Sequence, residues 1–182
     1  MFATILVTGG CRSGKSARAL DLSRRVGGRR NCFLATCVPQ DEEMRARVRR
    51  HREERGADWS TIEEPVLLPE AIAHHGAASS VILVDCLTLW ISNLMAADLP
   101  DREILNRVDA LGSVIAAPPC PLVLVSNEVG AGIVPENALA RRFRDLSGWT
   151  NQRVAAACGQ VVWMVAGIAV TIKPSFSLSD QE

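Results

Sequence analysis

Gly9, Gly14, Lys15 and Ser16 satisfy G-x-x-x-x-G-K-[ST] without a mismatch, within Gly9-Gly10-Cys11-Arg12-Ser13-Gly14-Lys15-Ser16. The pattern demands a strand, a tight loop and a helix in that order, and so restricts the fold sharply. Its flanks comply. The apolar, β-branched run Ala3–Thr8 precedes it, and Ala17, Ala19, Leu20 and Leu22 continue at helical spacing to about Arg25, where Gly27-Gly28 stops the helix. Glycines let backbone N–H groups, here those of Gly10, Cys11, Arg12 and Ser13, curl around a phosphate, and the helix N-terminus adds partial positive charge. Lys15 reaches β- and γ-phosphates and the Ser16 hydroxyl ligates Mg²⁺ in such loops. The alternative, a strand–turn–helix corner that merely needs glycine, leaves the Lys-Ser pair without a purpose. The stretch predicts binding of a nucleoside triphosphate.

Further along, Cys32–Ala35, Val81–Asp85 and Pro121–Ser126 are short apolar runs, the form of strands buried on both faces of a parallel sheet. Trp59–Glu63 is extended. Helical patterns occupy Asp41–Arg55, Leu68–His75, Leu87–Met95, Asp101–Ala116 and Glu136–Ala157. Gln160–Val165 and Ile168–Ile172 flank Gly167 as a terminal hairpin, and the last ten residues read as a polar tail. Strands alternating with helices imply an α/β fold with a mostly parallel sheet, whose ligands gather outside the carboxyl ends of the strands. The phosphate loop, Thr36, Asp85 and Asn127-Glu128 all fall at such ends.

The 182 residues carry 20 basic and 20 acidic side chains, so the whole molecule is no electrostatic nucleic-acid binder. They form a single domain over residues 1–182, without repeat or linker. No apolar run approaches the ~20 residues that span a bilayer, and no leader precedes the first strand. The six cysteines lack C-x-x-C spacing and read as reduced thiols of a cytoplasmic protein.

Three residues outside the loop invite chemistry. Asp85 ends a four-residue apolar run, like the Mg²⁺-organising carboxylate of P-loop enzymes, although an Asp there also suits the cap of the next helix. Glu128 lies in a Gly-rich loop and reads equally as functional or exposed. His51 stands among Arg45, Arg47, Arg49, Arg50, Arg52 and Arg55. Taken alone this is a solvated helix face with one histidine. The same arginines would pair with triphosphate and hold the imidazole neutral, below its ordinary pKa of about 6.5. No aromatic residue interleaves the patch to stack nucleic-acid bases.

The loop combines with Arg47-x-x-x-His51-Arg52-x-x-Arg55, with Trp59 and Glu63 behind it, with Val84-Asp85-Cys86-Leu87-Thr88 and with Asn127-Glu128-Val129-Gly130-x-Gly-Ile-Val-Pro-Glu-Asn137. Arg142-Phe143-Arg144-Asp145 and Asn151-Gln152 complete the set. From Ile5 to Lys173 it resembles the bifunctional adenosylcobinamide kinase/adenosylcobinamide-phosphate guanylyltransferases of cobalamin biosynthesis. The resemblance implies a RecA-like P-loop fold and a homotrimer. It also implies two reactions, phosphorylation of adenosylcobinamide by ATP or GTP, then GMP transfer from GTP to adenosylcobinamide phosphate through a guanylyl-histidine. The residue matching that histidine is His51. Nucleotide contacts carry over to the phosphate loop, Ala35-Thr36-Cys37, His51-Arg52-Glu53-Glu54-Arg55, Glu63 and Asp85, with Mg²⁺ on Ser16 and Asp85. Cys11 replaces a commoner alanine, and Arg50 stands where some relatives have a second histidine. A P-loop kinase of another small alcohol and a nucleotide-binding switch module remain as alternatives.

Overall fold

A computed structural model describes residues 2–37, residue 42 and residues 56–174. Side-chain direction alternates along its central strands. In β4 (Val81–Asp85), Ile82 and Val84 join one buried cluster while Val81 and Leu83 join another. The same division separates Leu122 and Leu124 from Val123 and Val125 in β5 (Leu122–Asn127), and Leu6 from Ile5 and Val7 in β1 (Thr4–Gly9). Both faces of these strands are buried, which explains their unbroken apolar text.

The sheet has seven strands in the order β3-β2-β4-β5-β1-β6-β7, with β2 at Asn31–Ala35, β3 at Trp59–Glu63, β6 at Gln160–Val165 and β7 at Ile168–Lys173. Every pairing is parallel except the β6–β7 hairpin. Its two-residue turn, Ala166-Gly167, has positive φ at both positions (51° and 83°), as the primed hairpin turns require. One face is covered by α1 (Lys15–Val26), which packs Ala19 and Leu22 against β1, β4 and β5. The other face takes α2 (Leu68–Gly76), α3 (Leu87–Ala96), α4 (Asp101–Ala116) and α5 (Ala138–Ala157) around a cluster containing Trp90, Leu94, Ile104 and Leu146. The expected α/β architecture with a mostly parallel sheet and a terminal hairpin is the one observed.

Element ends differ from expectation by a residue or two, for local reasons. α5 starts at Ala138 rather than Glu136, because Asn137 is the N-cap and its Oδ1 accepts from the Ala140 N–H at 3.1 Å. β5 begins at Leu122, since Pro121 has no N–H to give the ladder. β7 runs on to Lys173, whose Nζ donates to the Ala155 and Ala156 carbonyls at 3.0 and 2.9 Å. That residue therefore closes the carboxyl end of α5 instead of opening the tail. The rest of the expected tail from residue 175, and the expected Asp41–Arg55 helix apart from Glu42, lie outside the described residues.

Candidate nucleotide-binding site

The phosphate loop turns on two glycines. Gly9 has φ +154°, and a Cβ there would stand 2.6 Å from the Met164 carbonyl oxygen and 2.8 Å from Ser13 Oγ. Gly14, at φ +89°, is the left-handed N-cap of α1. The hairpin braces the loop from behind, with the Gly167 N–H donating to the Ser13 carbonyl at 3.2 Å. The first turn of α1 contains no acidic residue, so its positive end is not neutralised within the helix. Ser13 Oγ is buried with no hydrogen-bond partner among the described residues. A buried hydroxyl in that condition is costly unless something else satisfies it. Lys15 is also buried, and its Nζ donates back to the Gly10 carbonyl at 2.9 Å. Gly10 and Ser16 are half-buried, while Cys11 and Arg12 are exposed at the rim.

Two strands away, Asp85 closes β4 in register with Ala35 of β2, which is in turn in register with Glu63 of β3. The three residues form one row at the carboxyl edge, with Ala35 buried, Asp85 half-buried and Glu63 exposed. Cys86 takes the N-cap position of α3, so Asp85 stands one residue before the cap. Burial pushes the Cys86 thiol up; the Asp85 charge pushes it further, and the Lys15 charge pulls it back. Lys15 and Asp85 thus act on the same sulfur from two elements.

Thr36 is fully buried, and its hydroxyl is spoken for on both sides. It donates to the Cys86 carbonyl at 2.7 Å and accepts from the Cys86 N–H at 2.9 Å. Asn93 of α3 fastens the same corner by donating to the Thr36 and Pro65 carbonyls at 2.7 and 3.1 Å. Cys37, next to it, is half-buried. Asn93 carries no sequence signal beyond being a polar residue in an apolar helix.

Asn127 ends β5 opposite Gly9 and donates to Thr88 Oγ1 at 2.7 Å. Asn151 of α5 supports it, donating to the Asn127 carbonyl at 3.1 Å. The Glu128 N–H donates to the Gly9 carbonyl at 3.0 Å, which fixes the loop after β5 against the phosphate loop. Its carboxylate is exposed and accepts from the Gly130 N–H at 3.2 Å. His51, Arg52, Glu53, Glu54 and Arg55, with Arg45, Arg47, Arg49 and Arg50, lie outside the described residues.

A glycine-bounded loop, a bare helix N-terminus, an inward lysine and a carboxylate two strands over define a P-loop nucleotide-binding protein of the RecA-like fold. Its fold is similar to that of the flagellar accessory protein FlaH from Methanocaldococcus jannaschii, with TM-score 0.51 and 12% identity over 96% of this chain and 80% of that one. The RadB recombinase gives TM-score 0.51 and 15% identity over 96% and 84%. Residues 5–172 match the family described as cobinamide kinase / cobinamide phosphate guanyltransferase, and the chain belongs to that family. It is 40% identical to the bifunctional adenosylcobalamin biosynthesis protein CobP of Pseudomonas aeruginosa, over 92% of this chain and 96% of that relative. It is 41% identical to the bifunctional adenosylcobalamin biosynthesis protein CobU of Salmonella typhimurium, over 93% and 99%.

Proposed function

We propose that this protein phosphorylates adenosylcobinamide with ATP or GTP and then guanylylates the product, with the phosphate loop serving both steps. The observation that carries the reading is the assembled loop with its unsatisfied Ser13 hydroxyl, in a chain matched almost end to end by a family of this description. A kinase of another alcohol, or a nucleotide-dependent switch, would share the loop but not that match.

In the first reaction the acceptor hydroxyl oxygen attacks the γ-phosphorus. The new O–P bond forms as the bridge to the β-phosphate breaks, the nucleoside diphosphate leaves, and the hydroxyl proton passes to solvent. Lys15 exchanges its Gly10 carbonyl for phosphate oxygens, while the loop N–H groups from Gly9 to Ser16 and the Ser13 hydroxyl hold the rest. In the second reaction the neutral imidazole of His51 attacks the α-phosphorus of GTP and pyrophosphate leaves. An oxygen of adenosylcobinamide phosphate then attacks that phosphorus, the N–P bond breaks, and adenosyl-GDP-cobinamide departs. Arg52 and Arg55 stabilise the charge growing on pyrophosphate. Glu53, Glu54, Glu63, Ala35, Thr36 and Cys37 complete the nucleotide contacts of this reading.

Mg²⁺ would be held by Ser16 and Asp85. The donor set fits: one hydroxyl and one carboxylate suit an ion that keeps waters and phosphate oxygens as its remaining ligands. Among the described residues no cluster of three or more His, Cys, Asp or Glu side chains offers an all-protein cage. When bound, the ion neutralises charge on the phosphates.

The reading includes a cytoplasmic homotrimer without nucleic-acid or membrane partners. Self-association is supported by apolar side chains on the hairpin, where Trp163, Val165, Ile168, Val170 and Ile172 are 39–68% exposed. No described helix is long and apolar enough to cross a membrane.

The test is a covalent label. GTP labelled at the α-phosphate is expected to leave GMP on the protein, released by acid and stable to alkali as a phosphoramidate. His51→Ala should lose both label and guanylyl transfer, whereas His74→Ala and His75→Ala label normally. A label that persists without His51 would remove it as nucleophile.

A further inference from the structure

We propose that the groove between the loop after β5 and the outer face of α5 is the seat of the acceptor, holding one edge of the corrin macrocycle and its amide side chains. The inference rests on the function proposed above and names the surface that would recognise its larger substrate. The groove has a volume of about 540 Å³ and is lined by Gly132, Val134, Arg144, Gly148, Trp149 and Gln152, among others. That volume falls in the range of small-molecule sites, roughly 300–1,000 Å³, so a macrocycle would enter by an edge.

Three observations converge on it. The first is position. The loop that forms one wall is tied to the phosphate loop by the Glu128 N–H on the Gly9 carbonyl at 3.0 Å. Asn127, at the base of that loop, is the register partner of Gly9. An acceptor seated here lies beside the loop that would present the γ-phosphorus.

The second is two glycines that the protein itself does not need. Gly148 sits inside α5, where glycine is a poorer helix former than alanine. A Cβ at Gly148 would meet nothing within 4 Å, its φ is not positive, and both statements hold for Gly132 across the groove. Neither internal packing nor backbone conformation accounts for them. A flat occupant approaching the backbone closely does.

The third is chemistry. Trp149 is 44% exposed and Val134 59%, which makes an apolar platform of the kind a macrocycle edge covers. Gln152 and Arg144 stand around it with donors and an amide oxygen, the partners that primary amides of a corrin periphery require.

Gly148→Met fills the groove and Trp149→Ala removes its platform. Each should raise KM for adenosylcobinamide by about tenfold, the effect of losing one stacked or closely packed contact. The GTP dissociation constant should stay at the wild-type value, and Gly148→Met should not lower Tm. Gly112→Ala, at an equally open helix position away from the groove, serves as control and should raise Tm with acceptor KM unmoved. Unchanged acceptor KM in both groove variants would overturn the inference while wild-type turnover of adenosylcobinamide leaves the proposed function standing. A changed assembly mass with unchanged KM would make the groove a subunit contact and overturn it equally. Failure of the wild-type protein to use adenosylcobinamide would overturn the function and the inference together.

Discussion

Thr36→Val separates a structural duty from a ligand contact. The Thr36 hydroxyl is fully buried and serves both backbone groups of Cys86, at 2.7 and 2.9 Å. Valine has the same shape but leaves the Cys86 N–H unmet in the interior, while the Cys86 carbonyl keeps the Trp90 N–H at 3.2 Å. Such a group costs about 1–3 kcal/mol, so the change should destabilise the fold by about that amount. In a chain of this size 1 kcal/mol moves Tm by roughly 2–4 °C, which predicts a fall of at least about 2 °C. Thermal melts of wild type, Thr36→Val and Thr36→Ser would measure it, and serine, which keeps the hydroxyl, should recover most of the loss. Asp85 is bonded directly to Cys86, so the valine variant should also need more Mg²⁺ for half-maximal activity. A Tm within about 1 °C of wild type, together with a large loss of GTP affinity, would refute this. The hydroxyl would then serve the nucleotide rather than the corner between β2 and α3.

Lys15→Ala should weaken both phosphoryl and guanylyl transfer, read in separate assays with adenosylcobinamide and its phosphate. Asp85→Asn should raise the Mg²⁺ concentration for half-maximal activity about tenfold, the consequence of losing one charged ligand; superimposable titrations would leave Asp85 without a metal role. Alkaline stability follows from Cys158, where burial pushes the thiol from 9.0 to about 12 although the Lys173 charge opposes it. Below pH 9 folded and unfolded thiols are both protonated and the contribution is intact; above it only the unfolded thiol ionises. Stability should therefore fall between pH 9 and about 12, by about 1.4 kcal/mol per pH unit for this group, and less steeply in Cys158→Ala.

The sheet was legible because its central strands are buried on both faces and write themselves as four- to six-residue apolar runs. The phosphate loop was legible because glycine at Gly9 and Gly14 is forced, by a carbonyl 2.6 Å from any Cβ and by a left-handed cap. Side-chain partners were not legible. Nothing in the spacing of Thr36 distinguishes a hydroxyl facing a ligand from one turned back onto Cys86, a residue 50 positions away. Lys173 reads as the start of a polar tail until the hairpin returns it to the end of α5. Asn93 and Asn151 each hold a strand-end carbonyl, and a lone asparagine in a helix announces no such role. The histidine reading drew on resemblance, because one His in a run of arginines has no unique chemistry.

Strand order sets a length problem for an enzyme with one loop and two reactions. Between β1, which carries the phosphate loop, and β3, which carries Glu63, lie β5, β4 and β2. Four steps at about 4.8 Å place those strand ends roughly 19 Å apart. A GTP with its guanine at Ala35 and Glu63 and its β- and γ-phosphates on Lys15 would lie stretched across the carboxyl edge, past Asp85. The acceptor groove is walled by the loop that follows Asn127, at the end of β5, the strand between the phosphate loop and Asp85. Lys15→Ala bears directly on this arrangement. Loss of both activities fits one extended nucleotide, while guanylyl transfer near the wild-type rate would require a second nucleotide position displaced toward β3.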